Sequence, residues 1–191
     1  ARQAGFELIE IHGAHGYLVS QFSSPKTNIR TDQWGGHLEN RARFVLEIYR
    51  SMRIKLGGDF PIGIKLNSAD FQKGGFTEEE SMEVIKLLSK EGIDLIEISG
   101  GNYESPAMMG SNKNKSTVER EAFFMDYIEK ARKITETPLM LTGGFRTKKG
   151  MESALQSNSL DLIGLGRPFV LYPELAADVF NQKSSDFKVD F

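Results

Sequence analysis

The sequence contains no cysteine at all. That absence excludes a disulfide framework, a thiolate zinc site, a cysteine nucleophile and any iron–sulfur cluster ligated by these residues. Long hydrophobic runs are missing too; none approaches the roughly 18 to 20 apolar residues that a membrane-spanning helix needs. Neither sign of charge is in excess, since 24 Lys and Arg against 26 Asp and Glu leave a net −2. So balanced a chain has no basic field for a nucleic-acid backbone and no polybasic anchor for anionic lipid. What remains is 191 residues, 39% hydrophobic and 26% charged, the composition of a soluble globular protein. The first residues, Ala1-Arg2-Gln3-Ala4-Gly5, are neither a signal peptide nor a start methionine, and a reducing cytoplasm is the expected location. They read instead as the last turn of a helix closed by its glycine, with no helix start before it. Residues 1–191 are therefore expected to form one domain that is the back part of a longer protein.

A short internal repeat organises the chain. Phe6-Glu7-Leu8-Ile9-Glu10-Ile11, Ile93-Asp94-Leu95-Ile96-Glu97-Ile98 and Leu160-Asp161-Leu162-Ile163-Gly164-Leu165 share an acid, two aliphatics, one variable position and an aliphatic. Pro61-Ile62-Gly63-Ile64-Lys65-Leu66 and Pro138-Leu139-Met140-Leu141-Thr142 are two further aliphatic runs that open on proline. Such runs, bounded by Gly, Pro or Asp, are the pattern of buried parallel strands. Between them the period changes to that of helices. Leu38, Ala42, Val45, Ile48 and Met52 recur at helical spacing until Gly57-Gly58. Thr77-Glu78-Glu79-Glu80 is a capping box opening a helix whose Met82, Ile85 and Leu88 are expected to face inward as far as Gly92. Phe123, Phe124, Tyr127, Ile128, Ala131 and Ile134 line a third helix, Thr147 to Leu155 a fourth, and Glu174 to Phe180 a fifth.

Strands alternating with amphipathic helices predict a parallel sheet, either a doubly wound open sheet or a (β/α)8 (TIM) barrel. A complete barrel takes roughly 250 residues, so five βα units are a fragment of one. The polar residues decide between the two. His12-Gly13, Lys65 with Asn67, Ser99-Gly100-Gly101, Thr142-Gly143-Gly144 and Gly166-Arg167 fall at the C-terminal end of every predicted strand. Barrels distribute chemistry in that way, whereas an open sheet gathers it at one switch point. The predicted fold is an α/β TIM barrel represented by five βα units.

His12-Gly13-Ala14-His15-Gly16-Tyr17 is the densest chemical cluster. Two imidazoles there can donate hydrogen bonds to one substrate oxygen and polarise a carbonyl or nitro group. A phenol, with its ordinary pKa of about 10, can hand a proton to a developing carbanion. Loop packing is the plain alternative for these residues. A metal is another, but it wants a third ligand, and the remaining histidine, His37, lies in a different segment. Lys65 ends an otherwise apolar strand and needs water, an anion or an electron-rich ring, or else must snorkel to the rim. Gly143, Gly144 and Gly166 let backbone amides approach an anion after the last two strands, the usual phosphate position in barrels, and Arg167 adds a bidentate fork. The polar loop from Asn28 to Arg41 reads as structural, its charges locked in internal ion pairs.

These segments, in this order, resemble the Old Yellow Enzyme family of FMN-dependent oxidoreductases, in its NADH:flavin oxidoreductase branch. The resemblance runs from His12-Gly-Ala-His-Gly-Tyr17 through Gln21-Phe22, Ser24-Pro25, Asn28, Arg30, Asp32, Gly35-Gly36, Glu39-Asn40-Arg41 and Phe44. It continues in Gly74-Gly75-Phe76-Thr77, Gly143-Gly144-Phe145 and Gly164-Leu165-Gly166-Arg167-Pro168. It implies a (β/α)8 barrel of which this chain carries the fourth to eighth units, with FMN on its C-terminal face. It further implies reduction by NADH or NADPH and reoxidation by an activated alkene or similar small-molecule acceptor. By matched position, His12 and His15 hold the acceptor oxygen and Tyr17 is the proton donor. Gly143, Gly144, Gly166 and Arg167 hold the FMN phosphate. Lys65 stands where many members carry an arginine beside the flavin N1–O2 edge; it keeps the charge that favours reduced, anionic flavin but loses the planar fork. Two other readings compete. One is a non-catalytic half-barrel without flavin that self-associates through its open strand edges; flavin absorbance distinguishes it. The other is a non-redox phosphate-binding barrel, which accounts for the glycines but not for the histidine–tyrosine block.

Overall fold

Aliphatic runs too short for helices, bounded by proline, glycine and aspartate, become strands because parallel neighbours can bury both of their faces. The computed structural model describes residues 1–104 and 121–181. Its strands are β1 (Ile9–Gly13), β2 (Ile62–Asn67), β3 (Leu95–Ser99), β4 (Leu139–Thr142) and β5 (Leu162–Gly164). All pairings are parallel, and the strands lie side by side in sequence order. A doubly wound sheet reverses its order at the switch point, while the staves of a barrel do not. The chain is thus five consecutive staves of a (β/α)8 barrel. Among the described residues the helices are α1 (Leu18–Ser23), α2 (Leu38–Leu56), α3 (Glu78–Glu91), α4 (Met125–Arg132), α5 (Lys148–Gln156), α6 (Arg167–Leu171) and α7 (Leu175–Phe180). None is long and apolar enough to cross a membrane.

The period-2 alternation of the strands divides the sheet into two unlike faces. Ile62, Ile64, Leu66, Ile96, Ile98, Leu139 and Leu141 are fully buried against the helices, where Val45, Tyr49, Ile85, Leu88 and Ile128 meet them. Each such side chain contributes about 1.5–3 kcal/mol by leaving water. The opposite face carries the polar residues. The variable position of the internal repeat belongs to it: Glu10, Glu97 and Gly164 share that face with Lys65, which pairs with Glu97 across the β2–β3 register.

The repeated acid has a different task at the N-terminal edge of the sheet. Asp94 Oδ2 accepts the backbone N–H of Ile62 at 2.7 Å and pairs with Arg53 at the end of α2. Asp161 Oδ2 likewise accepts the N–H of Leu139 at 2.8 Å and pairs with Arg132 at the end of α4 at 2.6 Å. Each aspartate satisfies the first amide of the neighbouring strand and ties the returning helix to it.

The elements depart from the sequence expectation in several places. β1 starts at Ile9, and Phe6 stays exposed before it. The buried stripe of α3 is Ser81, Val84, Ile85 and Leu88, with Met82 only half-buried. A serine replaces the expected methionine there because Ser81 Oγ donates to Asn67 O at 2.7 Å and accepts from Tyr127 OH at 2.6 Å. The third predicted helix begins at Met125, after the two buried phenylalanines. α1 and α6 are too short to show a period and went unpredicted. The capping box is present in full, Thr77 Oγ1 accepting from Glu80 N and Glu80 Oε2 accepting from Thr77 N, and Gly92 closes α3 at φ 85°.

Candidate active site

His12 ends β1, and the chain then turns through His15 at φ 62° and Gly16 at φ 80° before α1 begins. Two consecutive left-handed residues reverse the backbone sharply, and a histidine there carries a strain that its partners must offset. Asn67, at the end of β2, supplies one partner by accepting the His15 N–H at 3.1 Å. Asn67 is itself fixed, donating to Gly101 O at 3.0 Å and Asp70 Oδ1 at 3.2 Å. Ser99, at the end of β3, supplies the other: its Oγ lies 2.8 Å from His15 Nε2. The turn therefore leans on the ends of the next two staves, and His15 also bridges to Asn102.

This geometry gathers three rings. The His12 and His15 centroids are 5.3 Å apart at an edge-on angle, and His12 and Tyr17 are 4.9 Å apart. The Tyr17 hydroxyl meets the hydroxyl of Tyr103, a residue that sequence reading had not singled out. Burial, and then the positive charge of Lys65, hold both imidazoles below their usual pKa, His15 down to about 4. Both rings are neutral at pH 7. A neutral imidazole carries one N–H, and a Ser99 hydroxyl that donates to Nε2 leaves Nδ1 as the donating nitrogen of His15. The contact with Tyr103 raises the Tyr17 pKa, so the phenol keeps its proton.

One register step along the sheet, Lys65 pairs with His12 on one side and with Glu97 on the other. Its ammonium is 2.6 Å from Glu97 Oε1, and both side chains are largely buried. The anion that the lysine requires is thus a carboxylate of the next stave. Burial pushes Glu97 up, but the hydrogen bond from Lys65, then that from Thr142, the charge of Lys65 and the hydrogen bond from Glu10 together more than offset it and hold Glu97 below the usual carboxylate range. Glu10 behaves oppositely: burial, then its hydrogen bond to Glu97 and the charge there, push its carboxyl up to about 8.

The loops after β4 and β5 supply the remaining groups. Gly143 and Gly144 take φ 121° and 94°, values at which a side chain is strained. Arg146 follows them, its backbone N–H and that of Thr147 donating to Glu121 Oε2 at 2.8 and 2.9 Å. Arg167 follows Gly166, and burial together with the nearby charge of Arg146 lowers its pKa. The loops after β4 and β5 thus each supply a guanidinium, and the charge of Arg146 is felt at Arg167. Arg146 escaped the sequence reading, although it lies two residues beyond Gly144.

The loop from Asn28 to Arg41 is a structural brace, as expected. Asn28 Nδ2 donates to Phe22 O and Trp34 O, both at 2.7 Å, and Arg30 pairs with Asp32. Arg41 is buried, donating to Ser23 O, to Gly36 O at 2.9 Å and to Glu80. Of the segment that follows β3, residues 105–120 lie outside the described residues.

His15, Tyr17, Arg146 and Arg167 follow the C-terminal ends of parallel strands and so share one edge of the sheet, while Glu10, His12, Lys65 and Glu97 lie within the strands on its polar face. Fold and site together define a fragment of a (β/α)8 barrel with its polar groups gathered on the sheet face and at the C-terminal ends of its strands. Residues 1–185 match the NADH:flavin oxidoreductase / NADH oxidase family, and the chain belongs to it. It is 41% identical over 182 residues to the NADH-dependent flavin oxidoreductase nadA of Aspergillus parasiticus, covering 95% of this chain and 40% of that protein. Among solved structures it is similar to a 2-naphthoyl-CoA reductase complex, with TM-score 0.85 and 32% identity over 95% of this chain and 27% of that one. It is also similar to the Old Yellow Enzyme homologue of Zymomonas mobilis, with TM-score 0.76 and 26% identity over 99% and 50%. The chain spans less than half the length of the curated relatives it matches.

Proposed function

We propose that the whole protein is an FMN-dependent oxidoreductase that passes reducing equivalents from NADH or NADPH to an activated alkene or a similar acceptor. The observation that carries this reading is the gathering of two neutral imidazoles and a protonated phenol on the sheet edge that also bears the Arg146–Arg167 pair.

The donor set fits the cofactor. A phosphate can accept charge-assisted hydrogen bonds from the guanidiniums of Arg146 and Arg167. Gly143 and Gly144 turn the chain with left-handed backbones, Gly144 packed tightly against Glu121, and Gly166 has open space where a Cβ would stand. Lys65 offers a positive charge for the electron-rich edge of the flavin. FMN, when bound, would supply two-electron hydride chemistry through its N5 between the nicotinamide and the acceptor. The chain's own residues do the rest. His12 and His15, neutral and each with one N–H, donate to the acceptor's oxygen and draw electron density from its double bond. Ser99 and Asn67 hold His15 in position. Tyr17 delivers a proton from its hydroxyl to the carbon left electron-rich, and Tyr103 supports that hydroxyl.

The test is Tyr17→Phe in the full-length protein, read by stopped-flow absorbance. Flavin reduction by NADH is expected to keep its rate, while reoxidation by an alkene falls about 10²–10⁴-fold, the usual weight of a positioned proton donor. Undiminished alkene reduction removes Tyr17 from this role. Purified protein with no flavin absorbance removes the whole reading in favour of a non-catalytic half-barrel.

A further inference from the structure

An ammonium placed beside a flavin favours its reduced, anionic form, but only to the extent that the charge is not already compensated. In this chain compensation is built in. Lys65 and Glu97 occupy paired positions of β2 and β3, with Nζ and Oε1 2.6 Å apart and side chains 18% and 6% exposed. The remaining titratable groups facing the pair are Glu10, hydrogen-bonded to Glu97, and the neutral His12 and His15. Glu10 retains its proton at pH 7, so the cluster of two carboxyls and one ammonium carries no net charge. Nothing about the fold demands this carboxylate, because the equivalent repeat position in β5 is Gly164.

We propose that Glu97 is a positioning residue that acts through Lys65: by pairing with the ammonium inside the barrel it lowers the flavin's reduction potential relative to a site with a free cation. The inference rests on the proposed placement of FMN against Lys65. It makes the lysine a partly cancelled charge, and so the reduced flavin a stronger reductant than the lysine alone would allow.

The experiment uses the full-length holoprotein and measures the FMN midpoint potential by equilibration with a reference dye. Glu97→Gln keeps size and shape but removes the charge. It is expected to raise the ratio of reduced to oxidised flavin at fixed ambient potential about tenfold, which for a two-electron couple is about 30 mV. Glu97→Asp restores the charge and is expected to return the potential toward the wild-type value, whereas a merely structural glutamate is not rescued in this way. Lys65→Met is expected to lower the potential. In that background Glu97, buried without its partner, takes up a proton, so Glu97→Gln then adds little. The inference is overturned if Lys65→Met shifts the potential while Glu97→Gln does not, or if Glu97→Gln shifts it equally with and without Lys65. In both cases the placement of FMN survives. If Lys65→Met leaves the potential unmoved, the placement itself is wrong, and the inference goes with it.

Discussion

Replacing Arg41 by methionine should destabilise the barrel severely while leaving its chemistry alone. The guanidinium is 4% exposed and lies beneath the loop that joins α1 to α2. It donates to Ser23 O, to Gly36 O at 2.9 Å and to Glu80, the capping residue of α3. Methionine fills a similar volume but leaves two carbonyls without their donor. It also leaves a carboxylate that is only 24% exposed without its cation. Glu80 keeps one further contact, the N–H of Thr77 at 3.3 Å, so it is not wholly abandoned. Removing one partner of a buried pair costs about 3–5 kcal/mol, a large part of the 5–15 kcal/mol that typically holds a domain together. With a urea slope of about 2 kcal/mol per molar, the midpoint should fall by about 2 M. Equilibrium urea unfolding of the full-length protein by far-UV circular dichroism reads this directly. Arg41 contacts none of His12, His15, Tyr17 or Lys65, so at temperatures where the variant is folded its rate of alkene reduction should match wild type. A midpoint shift below about 0.5 M would refute the reasoning, as would lost activity in a variant of unchanged stability.

Other outcomes follow from the same contacts. Glu10 binds its proton more tightly in the folded than in the unfolded chain, its pKa rising from 4.5 to about 8. Its contribution is therefore full below pH 4.5 and is lost as pH rises through about 8; melting temperatures across this window should decline in wild type and flatten in Glu10→Gln. Gly144→Ala places a Cβ 1.6 Å from Glu121 O at φ 94°, whereas Gly166→Ala meets nothing within 4 Å. The first should cost at least about 2 kcal/mol in thermal or chemical unfolding, and the second should be close to neutral. Asp94→Ala orphans the first amide of β2 and removes the ion pair with Arg53, which keeps its bonds to backbone carbonyls; a loss of about 1–3 kcal/mol in urea unfolding is expected.

The strands were legible because proline, glycine and aspartate punctuate short aliphatic runs, and α3 because its cap is written in four consecutive residues. The two faces of the sheet were not read from the sequence, because near-continuous aliphatic runs suit strands buried on both sides; in the structure the aliphatics at fixed positions point toward the helices and the variable position points away from them. His12, His15 and Tyr17 lie within six residues, so their nearness needed no tertiary information. Glu97 and Tyr103 were missed because their partners are 32 and 86 residues away. Only the register of β2 against β3, and the bridge from His15 to Asn102, bring them together. Arg146 was missed for a related reason. It becomes an anion-binding candidate only when the loop after β4 is set beside the loop after β5. The inward Ser81 of α3 defied the apolar pattern because a buried hydroxyl with two partners satisfies a helix face as well as a methionine does.

The central claim is that the loops after β4 and β5 grip a phosphate on the same edge that carries the rings of His12, His15 and Tyr17. Isothermal titration of the full-length apoprotein with FMN and with riboflavin, in wild type, Arg146→Ala and Arg167→Ala, tests it most directly. Each arginine is expected to contribute a charge-assisted contact of about 1.5–3 kcal/mol, so each variant should bind FMN about 10- to 100-fold more weakly while its affinity for riboflavin stays at the wild-type value. Equal losses for the two flavins, or no loss for either, would contradict the account.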